Sequence, residues 1–172
     1  MPISKQNLIS KATIFNQAIY ENKQLLASLS RRKSAFLCHS HKDEALVKGM
    51  LVLFQEAGVD LYIDWNDHTM PDAPNAETAR KIQEKIRRCD LFLFLATANS
   101  KASRWCPWEI GYADSSKKGI YIIPTSDGSD TYGNEYLELY AKIDEGSDNT
   151  KRGLAVFEAG KSNGQWLSSS TL

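Results

Sequence analysis

Long hydrophobic runs are missing from this sequence. The longest, Leu91–Ala96, falls far short of the roughly 18 to 20 apolar residues that cross a bilayer, and the N-terminus lacks the apolar stretch of a secretion signal. A cytoplasmic protein with no membrane partner is therefore expected. Cysteine is scarce as well. Cys38, Cys89 and Cys106 are the three, an odd number with no CxxC pair, which argues against both a disulfide framework and a zinc site and fits a reducing compartment. Cys38 and Cys89 lie in or beside apolar strand patterns and read as small buried hydrophobes. Neither sign of charge is in excess: 21 Lys and Arg balance 21 Asp and Glu, so no global field favours nucleic acid or an anionic surface. Gly-x-Gly-x-x-Gly, Walker-type and Gly-x-Ser-x-Gly signatures are all absent. Cys106, next to a proline, has no evident base partner in the sequence, so a hydrolase triad is unsupported.

What is present is an alternation of strand and helix patterns. At 172 residues with 42% hydrophobic and 24% charged residues, the chain fits one globular domain of roughly 130 to 150 residues plus an extension. Residues 4–30 predict one helix with a seam of Leu8, Ala12, Phe15, Ile19, Asn22, Leu26 and Leu29. Their alternate spacing by four and three suits either packing on the same domain or self-association, with Asn22 setting register. We accordingly divide the chain into an N-terminal helix, 1–32, and a domain, 33–172, whose C-terminal extension is 125–172.

Strands are expected at 35–38, 59–63, 90–96 and 120–123, with helices from about Asp43 to Gly58, 76–88 and 107–118 between them. Such alternation implies a parallel sheet covered on both faces. A long loop is expected from Pro124 to Asn134. Residues 136–143 read equally as strand or helix, and 154–158 with 165–167 read as a hairpin around Gly160–Gly164.

Three clusters could carry chemistry. The segment Ser103–Glu109 places Trp105 and Glu109 four residues apart at a strand-to-helix crossing, where open α/β sheets collect ligands. Pro107 at the first helical position would turn both toward one side. A Glu in the first helical turn is also common simply because it suits the helix dipole. Cys106, the expected N-cap, is a poor one, so a capping box does not account for this Glu. The second cluster, Cys38–Asp43, ends the first strand and can meet the first across the switch point. His39 and His41 either line the crevice or are exposed loop residues, and Asp43 either joins the site or caps the helix that follows. The His-x-His pattern lacks the companions of a metal site, so no metal is expected. Asp64–His68 at the end of the next strand suits ribose hydroxyls and a stacking base through Trp65, although many exposed loops share its composition.

Taken together, Ala35–Ser40 with Asp43, then Leu61–Asp64 followed by a loop containing Pro71, then Trp105-x-x-x-Glu109 resemble the three boxes of the Toll/interleukin-1 receptor (TIR) domains, particularly the bacterial stand-alone ones. The resemblance covers about residues 34–124. The tail, a Gly-Lys-containing hairpin ending at Trp166, is similar to that of TIR subunits from Thoeris antiphage systems. The resemblance implies an α/β, flavodoxin-like three-layer sandwich with a central parallel sheet, an N-terminal helical extension and a C-terminal β-hairpin. It implies catalysis by Glu109 of nicotinamide–ribose cleavage in NAD, with Phe36, His39, Asp64 and Trp105 lining the pocket. NAD would be substrate rather than cofactor, and the ADP-ribose product, cyclic or conjugated, would signal to a downstream effector in antiphage defence. Self-association through TIR surfaces, and through the N-terminal helix, would accompany it. Two other readings stand beside this one: a non-catalytic adaptor acting by self-association, and a nucleoside deoxyribosyltransferase-like enzyme, against which the Pro71 loop argues.

Overall fold

The computed structural model describes residues 1–16, 18, 20, 21, 33–59, 62–64 (backbone only), 75–116 and 119–172. Its centre is a nine-stranded mixed sheet. The strands are β1 (Ile3–Ser4), β2 (Ser34–Cys38), β3 (Tyr62–Asp64), β4 (Leu91–Ala96), β5 (Gly119–Asp127), β6 (Asp130–Tyr132), β7 (Ala141–Ser147), β8 (Arg152–Phe157) and β9 (Gly164–Trp166). The helices are α1 (Lys5–Ala12), α2 (Glu44–Glu56), α3 (Ala76–Arg88), α4 (Ala98–Ala102) and α5 (Cys106–Ser116).

The main path runs β3-β2-β4-β5-β7-β8-β9. Its members through β7 are parallel, and β8 and β9 follow antiparallel. Counted from β2, the parallel part has the 2-1-3-4-5 order of flavodoxin-like folds, as expected.

Alternation along the strands sorts the apolar run into two layers. Leu91, Leu93 and Leu95 join Ala35 and Leu37 in a core with Leu8 of α1 and Leu46, Val47, Met50 and Phe54 of α2. Phe92, Phe94 and Ala96 join Phe36 and Cys38 in a second core with Ile82 and Ile86 of α3 and Cys106, Ile110 and Ala113 of α5. A strand buried on both faces reads as an unbroken apolar run for this reason. The helix after β2 therefore covers one face and the helices after β3 and β4 the other.

Local signals set the boundaries. Asn75 caps α3 by accepting from the Thr78 N–H, and its bounds match the expected ones. At the end of α2, Val59 N–H donates to Phe54 O and Gly58 N–H to Gln55 O. That pattern needs a left-handed residue, and Gly58 supplies it with φ +70°.

Several expectations are corrected. The single helix over 4–30 is interrupted: α1 ends at Ala12, and Thr13, Ile14 and Phe15 bond back to Ser10, Lys11 and Ala12 in tightened turns. Thr13 Oγ1 also donates to Ser10 O, the competition with helical bonding that hydroxyl side chains offer. Leu8 and Phe15 of the expected seam pack on the first core. Ile19, Asn22, Leu26 and Leu29 lie outside the described residues. The second expected strand appears as Tyr62–Asp64. β5 runs through Pro124 to Asp127, replacing the expected loop, because β4 stops opposite Pro124 and the strand continues against β1 and β6. A proline without an N–H is tolerated where a ladder ends. Residues 136–143 divide between a 3-10 turn, Asn134–Tyr136, and the start of β7. The hairpin of β8 and β9 is present, and β7 pairs with β8 as well. Among the described residues no helix is long and apolar enough to cross a membrane.

Gly49 shows how closely α1 and α2 approach: a Cβ there would sit 1.9 Å from the carbonyl oxygen of Leu8. Gly49→Ala is expected to cost about 2–3 kcal/mol by overpacking, whereas Gly111→Ala, with open space around it, should stabilise α5 by up to about 1 kcal/mol. Urea denaturation of the two variants checks both signs.

Candidate active site

At the carboxyl ends of β2 and β4 the connections part, one toward each face of the sheet. This is the switch point at which such sheets bind ligands. A buried polar latch ties its two sides together. Asp43, 3% exposed, precedes α2 and accepts from Thr97 Oγ1 at 2.5 Å and from Asn99 Nδ2 at 2.7 Å. Thr97 caps α4 with a reciprocal capping box to Ser100. The residues that follow β2 and β4 are thereby held in fixed relation, and His39 and Ser40 lie inside the strapped segment.

His39 Nδ1 lies 2.9 Å from Leu37 O. A carbonyl only accepts, so Nδ1 carries the proton and a neutral ring keeps its lone pair on Nε2.

α5 roofs the crevice. Ser103 Oγ accepts from the N–H groups of Trp105 and Cys106, supplying the cap that Cys106 cannot. Glu109 N–H donates to Trp105 O at 2.8 Å. The helix thus begins at Cys106 rather than Pro107, and Cys106, Glu109, Ile110 and Ala113 form its buried face. A carboxylate that merely decorated the helix dipole would stand in water; Glu109 is 3% exposed.

Beside it, Trp105 packs half-buried against the second core. Its ring meets Trp108 edge-on at 5.7 Å, and Trp108 stacks on Tyr112 at 5.9 Å. Phe36 lies in the floor, 4% exposed and stacked on Phe92 at 5.8 Å. Asp64 ends β3 in register with Phe36. Its side chain, like Trp65 and the Pro71 loop, lies outside the described residues.

The structure therefore gathers Phe36, Trp105 and Glu109 on one face at the switch point, with His39 immediately after β2 and the backbone of Asp64 alongside. Cys38 is the buried small hydrophobe the sequence suggested, 1% exposed. Two positions after Phe36, it shares that residue's face by strand alternation, and its Sγ donates to Cys106 O at 4.0 Å. Burial, then the neighbouring Cys106, then the charge and hydrogen bond of Glu109 push the Cys38 thiol well above its ordinary range. Thr97 and Asn99 were unread, because nothing in the sequence pairs them with Asp43.

A largely buried carboxylate, an aromatic wall and an aromatic floor are the parts needed to hold a ribose and stabilise positive charge on it. The chain is also similar to known proteins. The family model described as the TIR domain matches residues 35–155. The chain is 34% identical over 117 residues to the Bacillus cereus (strain MSX-D12) protein named "Probable 3' cyclic ADP-D-ribose synthase ThsB'", covering 65% of this chain and 61% of the relative. It is 26% identical over 95 residues to the Cytobacillus dafuensis protein named "Putative cyclic ADP-D-ribose synthase TIR2", covering 54% of this chain and 25% of that one. The matched part is thus about three fifths of the first relative's length and a quarter of the second's.

The latch is testable without a substrate. Asp43→Ala should destabilise the fold by about 2 kcal/mol, since it strands the buried Thr97 hydroxyl and the half-buried Asn99 amide. Combining it with Thr97→Val should cost at least about 1 kcal/mol less than the sum of the single changes. Denaturant titrations of the cycle give both numbers; strict additivity would show the contact to be energetically idle.

Proposed function

Because the chain belongs to the TIR-domain family, we propose that it is an enzyme that cleaves the nicotinamide–ribose bond of NAD and closes the ADP-ribose into a cyclic signal. The observation that carries this reading is the burial of Glu109 beside Trp105 at the switch point. The names of the two relatives support the cyclic product.

In the reaction the bond between the ribose anomeric carbon and the nicotinamide nitrogen breaks. Its electron pair stays with nitrogen, so nicotinamide leaves as a neutral molecule. The sugar passes through an oxocarbenium-like state, and an ionised Glu109 in a water-poor site stabilises that cation far better than it would in bulk water. Phe36 and Trp105 bound the sugar and exclude water. A nucleophile on the same ADP-ribose then captures the anomeric carbon and releases its proton, and no water is consumed. His39, its Nδ1 turned to Leu37 O, is assigned to the sugar side of the same site. Asp64 and Trp65 are assigned to the same pocket from the end of β3.

On this reading the protein works in the cytoplasm, self-associates through its TIR surfaces, and signals to an effector that senses the product, as in Thoeris-type antiphage defence. Purified protein incubated with NAD, with and without a phage-derived trigger, should release nicotinamide and one cyclic product resolvable by mass spectrometry. Glu109→Ala and Glu109→Gln should each lower the rate by about 10²–10³-fold or more. Equal nicotinamide release from all three proteins would remove Glu109 from the chemistry. Self-association without turnover under any trigger would instead point to an adaptor.

A further inference from the structure

Three aromatic rings run along one side of α5 and end at Trp105, the wall of the site. Trp105, Trp108 and Tyr112 are spaced by three and then four residues, so they form one stripe along the helix. Trp108 stacks on Tyr112 at 5.9 Å with 19° between the planes, and Trp105 meets Trp108 at 5.7 Å and 77°. The plane of Trp105 is thus held nearly perpendicular to a stacked pair. Trp105 and Tyr112 pack half-buried on the second core, but Trp108 between them is 36% exposed. What the structure gives Trp108 is contact with two rings rather than burial.

We propose that Trp108, backed by Tyr112, is a positioning residue for Trp105: it fixes the plane of that ring at the sugar site beside Glu109. The need arises from where Trp105 stands. It precedes α5, whose first residue is Cys106, so no earlier turn of that helix restricts its side chain as it would restrict one inside the helix. Its main chain is secured, since its N–H donates to Ser103 Oγ at 3.1 Å and its carbonyl accepts from the Glu109 N–H at 2.8 Å. The ring must be held by other means. Side chains on a helix lean toward its N-terminus, so Tyr112 leans on Trp108 and Trp108 on Trp105. Edge-to-face and offset-stacked contacts are the two arrangements that aromatic rings favour, and this stripe uses one of each. A wall that turned would loosen the sugar and admit water together. A fixed plane therefore favours capture of the anomeric carbon by the ADP-ribose itself over capture by water. The catalytic consequence rests on the proposed NAD reaction; the restraint on the ring does not.

The test uses the full chain, labelled with 5-fluorotryptophan, in wild-type, Trp108→Ala, Trp108→Phe and Trp105→Phe forms. The sequence holds four tryptophans, and the fluorine line of Trp105 is identified by its loss in Trp105→Phe. That line should be single and narrow in the wild type and in Trp108→Phe, and split or broadened in Trp108→Ala, where the ring samples further rotamers. Loss of the Trp108 ring current moves the line in any case, so its multiplicity and width are the readout. A Trp105 line no broader in Trp108→Ala than in the wild type would overturn the proposal whether or not the protein turns over. In the kinetic arm Trp108→Ala should raise KM for NAD by about three- to tenfold with a smaller change in kcat, because only molecules with the wall in place bind well. The share of linear ADP-ribose among the products should rise with it. Trp108→Phe should restore both. Wild-type KM and product ratio in Trp108→Ala, or losses that Trp108→Phe does not reduce, would overturn the positioning role. A wild-type protein that releases no nicotinamide would defeat the proposed function alone, and the fluorine arm would still decide the restraint.

Discussion

When α5 packs on β2 and β4, Glu109 gives up nearly all of its water, and desolvating an ionised carboxylate costs several kcal/mol that its surroundings must offset. The fold places that loss at the switch point, where the helices after β2 and β4 leave toward opposite faces of the sheet. The buried latch from Asp43 to Thr97 and Asn99 fixes the two sides of this switch point. Ser103 fixes the start of α5, so the first helical turn presents Glu109 downward and Trp105 alongside. A charge held in a preorganised, water-poor setting costs little to reorganise when an opposite charge develops against it. The features of the crevice serve to keep that charge in place.

The ends of the chain are part of the same construction. β1 pairs with Thr125 and Ser126 of β5 beyond the point where β4 stops, and Met1 is tied to Glu145 of β7 by main-chain hydrogen bonds. α1 then lies on α2 closely enough that Gly49 has no room for a methyl group. At the other end β7, β8 and β9 extend the sheet, and Leu154 and Leu167 complete the first core. The stretch that reads as a separable N-terminal helix thus begins as a strand and core element of the main domain.

Where one physical signal dominated, the sequence was readable. The unbroken Leu-Phe run of β4 announced a strand covered on both sides, and α3 announced itself through the inward spacing of Ile82 and Ile86. Glu109 and Trp105 were legible from their spacing at a strand-to-helix crossing. The break after Ala12 was hidden because the seam spacing continues straight across it; only the back-bonding of Thr13 reveals the turn. Pro124 read as a loop because a proline normally marks one, and its tolerance depends on β4 ending opposite it. Cys38 was legible as a small buried hydrophobe, but its bond to the Cys106 carbonyl depends on α5, dozens of residues away, arriving above it. Long-range pairings of this kind, like Asp43 with Thr97, leave no periodic trace in the sequence.

The central claim is that this crevice holds the nicotinamide ribose of NAD against Glu109. A crystal structure of the Glu109→Gln protein with uncleaved NAD tests it most directly. The account predicts that ribose in contact with the side chain at position 109, between Phe36 and Trp105. NAD seated elsewhere, for example in the cleft that Lys11, Glu56, Arg152 and Trp166 line on the opposite face, would contradict it.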